Sequence, residues 1–453
     1  MKQRFQRHLL ANLVGLGDRT ITGLLCTAGR QFDDWTADYR MYSRQRIDPS
    51  ALFATIRSAV LDSLPETAPA VVALDDTHIR KTGLKIDGVK YRRDPLGPPF
   101  QVNFILAQRF LQLSLASGPD RSPRMVPAAW QHAPSPPKPK PKAPESEWKQ
   151  YRQVRRQQSL GVVAVEQLRL FRQWMDDNGH QQRSLWAVVD GGYTNGTVLK
   201  NLPPNTELIG RTRSDAKLYF LPEESAMHAG RPRVYGQQAP TPEQLRQDDT
   251  APWQQVTVWI HGEQCTLRAK SLGPLRWRAA GAKHTFKLVV VAGVLYRVAP
   301  NGKRYYRPPA YLLCTNPAAD TITILQRYLR RWDIEVNFRD QKTLLGVGEA
   351  QVRDPNAVQN VTATSVASYA LLLAAAEKIT QTGEEPLSLP RPKWQRKKPP
   401  RTTTQQLIQQ MRCELWGRAM NFSHFVKTSA PAQPQINSLH SPQSALLYGS
   451  RYS

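Results

Sequence analysis

Apolar and polar positions follow two different periods along this chain, and the changes of period divide it. From Met1 to about residue 65 apolar residues recur at helical spacing, with breaks at GLGD and RIDPS, which predicts a small helical N-terminal domain over residues 1–65. The pattern then changes. AVVALDD, from Ala70 to Asp76, is an unbroken apolar run that stops at acid, as a strand buried on both faces does. GLKIDGVKYRR and FQVNFILAQRFLQLSLA follow as further strands, so three strands of one sheet are expected. Residues 119–146 contain PSPPKPKPKAP, a proline and lysine tract too stiff and solvated for sheet or helix, and are read as a surface loop. Helical spacing resumes from about Glu147 to Asn178. LWAVVD, Leu185 to Asp190, is then a second buried strand that ends in an aspartate, followed by GGYTN.

Beyond residue 213 the pattern is mostly β, through GRPRVYG, WQQVTVWIHG and HTFKLVVVAGVLYRVA, with an Asn-Gly hairpin in APNGKRYY. AYLLCT gives one more strand and Thr321 to Lys342 a helix. VASYALLLAAA, Val366 to Ala376, is too short an apolar run to span a bilayer and is expected as a buried helix. Residues 381–453 are basic and proline-rich, then helical, then of disordered composition. The class is α/β, divided at about 65, 213, 307 and 380.

Charge narrows the partners. The 453 residues include 62 Lys and Arg against 36 Asp and Glu, a formal charge of +26 spread along the whole chain. Such an excess favours a polyanion, nucleic acid above all. The four cysteines, Cys26, Cys265, Cys314 and Cys413, form no C-x-x-C pair, which argues against a zinc ribbon or a disulfide scaffold and fits a reducing cytoplasm. No membrane association is expected.

The helix around YLRRWDIEVNFRDQK carries the candidate chemistry. At about 100° per residue, Arg331, Glu335 and Lys342 fall at roughly 300°, 340° and 320° from Tyr328, so all four share an arc of about 60°. Leu325, Leu329, Trp332 and Val336 occupy the adjacent arc and are expected to anchor the helix, while Asp333 and Asp340 project elsewhere. Glu335 is thus the only carboxylate on that face. Together with the acids closing the two buried strands, Asp76 and Asp190, it makes a hard all-oxygen set suited to Mg²⁺ or Mn²⁺, and such a set suits phosphodiester chemistry, with Tyr328, Arg331 and Lys342 placed to hold phosphates. Strand alternation admits only one of Asp75 and Asp76 to the site. His78 has no second histidine at metal-ligand spacing.

The spacing Y-x-x-R-x-x-x-E-x-x-x-x-x-x-K, Tyr328 to Lys342, is the signature of the DDE transposases of bacterial insertion sequences in the insertion sequence four superfamily, and this chain resembles that family from about Leu9 to Trp416. LDDTHIRKTG is similar to the family's first-aspartate segment, VVDGGYTN to its second, and GRTRSDAKLYF with GRPRVYG to the start of its β-insertion. The seven-hundred-one branch is the nearest in appearance. The resemblance implies an RNase H-like core, a mixed sheet flanked by helices, in two parts (66–213 and 308–380) around a β-rich insertion (214–307), with a helical N-terminal domain and a basic C-terminal segment.

It also implies metal ligands Asp76, Asp190 and Glu335, with Asp76 preferred over Asp75 because it directly precedes Thr77, and two Mg²⁺ or Mn²⁺ ions per site. Arg211, in IGRTR, matches a basic residue used near DNA. Tyr311, in AYLLCT, stands where some relatives carry a tryptophan that stacks on a flipped base, which raises cleavage through a hairpin. The implied function is transposition, in which terminal inverted repeats are cut and joined to target DNA by a homodimer or larger complex in synapsis, in the cytoplasm at the nucleoid. Residues 1–65 and the basic cluster PKWQRKKPPR from Pro392 would contact DNA. A nuclease without strand transfer and a catalytically silent DNA-binding regulator remain the rival expectations.

Overall fold

The computed structural model describes residues 1–94, 97–98, 100–222, 233–297, 302–382, 389, 393 and 401–417. Four helices come first: α1 (Lys2–Val14), α2 (Ile21–Thr27), α3 (Thr36–Ser43) and α4 (Pro49–Leu61). Their starts are written locally. The Thr20 side chain accepts from the Gly23 N–H, and Asp48 accepts from the Ser50 N–H ahead of Pro49, each satisfying an amide that the helix itself leaves open. Inside the bundle His8 bonds Asp38 at 2.8 Å and the Tyr42 hydroxyl at 3.0 Å, all three buried.

After them comes a sheet built from β1 (Ala70–Arg80), β2 (Lys90–Arg93), β3 (Phe104–Ser117), β4 (Arg124–His132), β5 (Leu185–Val189) and β6 (Thr206–Arg211). Strand β1 lies antiparallel to β3 and parallel to β5, β6 lies parallel to β5, and β4 pairs the far side of β3. The resulting order β4-β3-β1-β5-β6, three antiparallel strands joined to a parallel pair, is RNase H-like. Two helices, α5 (Glu145–Gln157) and α6 (Leu160–Asp177), connect β4 to β5, and α7 (Gly196–Lys200) connects β5 to β6.

Three local expectations change. Strand β1 does not stop at Asp76 but runs on to Arg80, so its acids sit in mid-strand. The stretch read as a surface loop over 119–146 contains β4, whose first seven residues are buried. Pro127 hid it; the strand tolerates that proline at a register shift opposite Leu113 and Ser114. The single long helix over 147–178 is two helices meeting at Gln158 and Ser159.

The β-rich insertion continues the core sheet. It comprises β7 (Leu218–Phe220), α8 (Pro242–Gln247), β8 (Gln254–Ile260), β9 (Glu263–Trp277), β10 (Phe286–Val291), β11 (Val294–Arg297) and β12 (Arg304–Arg307), and leads into β13 (Ala310–Cys314). Strand β13 bonds β6 on one side and β10 on the other, so eleven strands among the described residues form one sheet, while β11 and β12 make a separate two-stranded ribbon. Residues 230–232 of GRPRVYG and 299–301 of APNGKRYY lie outside the described residues, as does most of PKWQRKKPPR.

Four helices close the molecule: α9 (Thr321–Leu329), α10 (Trp332–Thr343), α11 (Pro355–Gln381) and α12 (Thr404–Trp416). Helix α11 is long and apolar enough to cross a membrane, yet 83% of its most apolar window is buried inside the protein. The N-terminal helices pack on it directly: Asn12 donates to the Ser365 hydroxyl and Asn360 to the Tyr42 carbonyl. Helix α4 also meets the core sheet, where Arg57 donates to the Ala128 carbonyl of β4.

Candidate active site

The first acid is decided by which face of β1 meets α10. Asp75 pairs across the ladder with Gln112, and Asp76 with Leu111, so Asp75 and Gln112 share one face and Asp76 takes the other. Gln112 is fully buried and accepts from Gln341 of α10 at 2.8 Å. Asp75 therefore looks toward the helix that carries Glu335. It lines a cleft of about 860 Å³ with Asp190, Glu335, Arg211, Arg213 and Arg331. Asp76 is not among the lining residues; its carboxylate accepts the Tyr193 hydroxyl at 2.8 Å. Of the pair, Asp75 faces the cleft and the preferred Asp76 does not. Alternation was the right rule, but the face can be chosen only once α10 is in place.

Asp190 directly follows β5, all five of whose residues are buried. Its carboxylate accepts the Gly192 N–H at 2.8 Å, and its carbonyl accepts the Thr194 hydroxyl at 3.0 Å, which fixes the turn into α7. The neighbouring strand leaves room for this turn only because residue 210 is glycine: a Cβ there would come within 2.0 Å of the Thr194 hydroxyl.

Glu335 lies in the first turn of α10, which is not continuous with α9. At Arg330 and Arg331 the chain tightens, with the Arg331 N–H bonded to the Tyr328 carbonyl and the Ile334 N–H to the Arg331 carbonyl, a three-residue repeat in place of four. The arc expected for an unbroken helix therefore loses Tyr328, while Glu335 and Lys342 keep one face of α10 two turns apart. Glu335 and Arg331 line the cleft; Tyr328 and Lys342 do not. The Tyr328 ring backs the Arg331 guanidinium at 5.9 Å, and burial pushes its phenol up. Lys342 is pushed down to about 8 by burial and then by Arg80. Trp332, expected as an anchor, is 53% exposed. Ile334 and Phe338 anchor α10 instead, together with buried Asn337, which donates to the Ser114 hydroxyl and the Met125 carbonyl and accepts from the Tyr369 hydroxyl. Asp333 and Asp340 point away as expected, into bonds with Arg401 and Thr404.

Arg211 ends β6 and lines the cleft. Sequence reasoning missed its neighbours Arg213, Asp215 and Lys217, which line it too; the alternation of basic residues in GRTRSDAK was the available signal. Tyr311 is not brought to the cleft. It is 9% exposed, and its hydroxyl donates to Glu243 of α8, whose carboxyl is held at about 2 by Arg246 and then by Tyr311. A buried, hydrogen-bonded ring offers no open face for a base.

The electrostatics of the cleft are unbalanced. Burial, then Asp190, then Asp76 lift the Asp75 carboxyl to about 7, with Arg331 opposing. The Arg331 guanidinium spans two of the acids, 3.5 Å from Asp75 and 2.8 Å from Glu335. As these side chains stand, no three metal-ligating groups among the described residues converge; Arg331 holds the position between two of them. The donor set nevertheless fits a divalent cation, because three hard carboxylates repel one another in a partly dry cleft until positive charge joins them.

A family model described as "DDE superfamily endonuclease" matches residues 2–283. The chain belongs to this family. The match covers β1 and Asp190 and ends before α9 and Glu335. Comparison with curated proteins finds no match. As a member of the DDE superfamily endonucleases the protein takes DNA as its substrate class, has an RNase H-like fold, and belongs with enzymes that generally work with divalent metal ions.

Proposed function

We propose that this endonuclease-family member is a DNA transposase of the insertion sequence four superfamily, seven-hundred-one branch, which cuts the ends of its element and joins them to target DNA. The observation that carries the reading is the meeting of Asp75, Asp190 and Glu335 in one cleft edged by Arg211, Arg213 and Lys217. The uninterrupted spacing from Tyr328 to Lys342 supports the branch assignment. In this proposal Asp75, in place of Asp76, holds metal with Asp190 and Glu335, and the ions are two Mg²⁺ or Mn²⁺. Bound there, they would supply Lewis-acid activation of the attacking oxygen and stabilise the leaving one.

The remaining work falls to the chain. Arg211 and Arg213 hold the phosphates flanking the scissile bond. The Gly192 amide orients Asp190. Arg331 neutralises Asp75 and Glu335 before substrate arrives and turns to a phosphate afterwards, while Lys342 contacts the backbone farther along. The buried Tyr311 leaves the hairpin route without its stacking residue. Two protomers hold two ends in synapsis, and four unpaired cysteines are in keeping with work in the cytoplasm.

The test is incubation of the protein with labelled DNA bearing both element ends, in Mg²⁺ and in EDTA, beside Glu335→Gln. Metal-dependent cleavage with joined products, lost in the variant, is expected. Cleavage that never yields joined products would make the protein a nuclease, and binding without metal-dependent cleavage would make it a regulator.

A further inference from the structure

We infer that the β11–β12 ribbon is an arm that grips duplex DNA just outside the active-site cleft, an inference that rests on the DNA-cleaving role proposed above. Its composition is one-sided. Val294 to Arg307 carries Arg297, Lys303, Arg304 and Arg307 with no acidic residue. All eight residues of the two strands are exposed, including Leu295 at 66% and Tyr306 at 60%. A two-stranded ribbon with both faces in water is marginal by itself, and large exposed apolar side chains beside the exposed Arg304 and Arg307 mark a surface shaped for a polyanion with flat, apolar parts.

The register sorts the side chains. Tyr296 pairs with Tyr305 and Val294 with Arg307 on one face, where the two rings stack at 5.7 Å and the Arg307 guanidinium lies 5.4 Å over Tyr296. That stack stiffens the arm and holds Arg307 extended. The opposite face carries Arg304 across from Arg297, and Tyr306 folds over Gly293 at the root, where a Cβ would come within 2.2 Å of its hydroxyl. There the ribbon borders a groove that also exposes Arg268 and Trp253, stacked on each other at 5.5 Å.

Topology supplies the position. Strand β13 runs antiparallel to β6, with Leu312 opposite Arg211, so the start of β13 lies at the end of the sheet where β5 and β6 finish in Asp190 and Arg211. The ribbon extends the β10–β13 pair past that same end, since Val291 pairs with Ala310. It stands two strands from Asp190, about 10 Å along the sheet, and its four-residue strands reach about 13 Å outward. A two-stranded β-ribbon is also of a width that the major groove of about 12 Å admits. Duplex lying in the cleft would pass it.

The test measures binding of the full-length protein to a fluorescent duplex in EDTA as salt is varied, for the wild type and for Lys303→Ala/Arg304→Ala/Arg307→Ala. Each lost phosphate contact lowers the slope of log K against log salt by about 0.9, so the triple variant should be shallower by about 2.7. Between about 50 and 200 mM salt it would lose roughly 40-fold less affinity than the wild type. The triple lysine/arginine-exchanged variant, Lys303→Arg/Arg304→Lys/Arg307→Lys, should keep the wild-type slope. An unchanged slope in a folded alanine variant, with wild-type binding and cleavage intact, overturns the arm and leaves the cleft's role standing. An unchanged slope with an altered oligomeric state reassigns the ribbon to a contact between copies. A wild type that binds no duplex overturns both.

Discussion

Asp75→Asn should make the metal-free protein more stable at pH 8 than the wild type, by more than it does at pH 5. In the folded chain the carboxyl sits at about 7, lifted by burial and then Asp190, against about 3.9 when unfolded. Between those values the folded state binds the extra proton, so wild-type stability falls as pH rises through that window and is lowest above 7. At about 1.36 kcal/mol per unit, the accumulated cost is about 1.5 kcal/mol at pH 5 and about 4 kcal/mol at pH 8, a difference of roughly 2–3 kcal/mol. An asparagine of the same shape carries none of it. With an unfolding entropy of about 2.1 cal/mol/K per residue, the variant's gain in Tm at pH 8 should exceed that at pH 5 by about 3 °C. The assay is thermal unfolding in EDTA at both pH values, repeated with Mn²⁺, which should raise the wild-type Tm and leave the variant's nearly unmoved. If the Tm difference between variant and wild type is the same at both pH values, Asp75 does not share a repulsive site with Asp190, and the assigned face of β1 is wrong.

Glu335→Gln should lower metal-dependent cleavage by at least about 10³-fold while duplex affinity, read by gel shift, changes less than about threefold. Arg331→Ala frees Asp75 and Glu335 of their shared cation, so Mn²⁺ binding without DNA, followed by electron paramagnetic resonance, should tighten while cleavage falls; weaker Mn²⁺ binding would refute the bridging role. Asn337→Leu strands the Met125 carbonyl in the core and leaves the Tyr369 hydroxyl with Thr404 alone, a cost of about 1–3 kcal/mol that calorimetry should register as a Tm lower by a few degrees. Tyr311→Phe removes the hydroxyl's bonds to Glu243 and Arg246 of α8 and should leave the cleaved-end species on a denaturing gel unchanged.

Much of this architecture could be read from residue patterns because its elements are amphipathic or wholly apolar. β5 is five buried residues closed by Asp190, and α11 is a long apolar run; both were legible. The failures have physical causes. Strand β4 carries a proline that its edge position and register shift tolerate, so its sequence reads as a loop. The wheel from Tyr328 assumed one period, whereas the turn at Arg330 and Arg331 shifts everything before it, which is why Tyr328 supports Arg331 from behind. The choice between Asp75 and Asp76 depended on where α10 lands, and Tyr311 on where α8 lands: the start of that short helix is written in the Thr241-Pro242-Glu243-Gln244 capping box, but its place beside Tyr311 is not. Such tertiary decisions leave no local trace.

The packing of α1, α3 and α4 on α11 has a consequence for synthesis. The partners of the first 61 residues are made roughly 320 residues later, a delay of about 15 to 60 s at usual elongation rates. Until then α4 and β4 have each other, but the faces of α1, α3 and α4 and of β4 that α11 covers stay open, and when α11 emerges it is itself apolar enough to be mistaken for a membrane span. The nascent chain should therefore depend on holding chaperones, and prematurely terminated products ending before residue 355 should be insoluble and not small soluble DNA binders. In this molecule the beginning of the chain is finished only by its end.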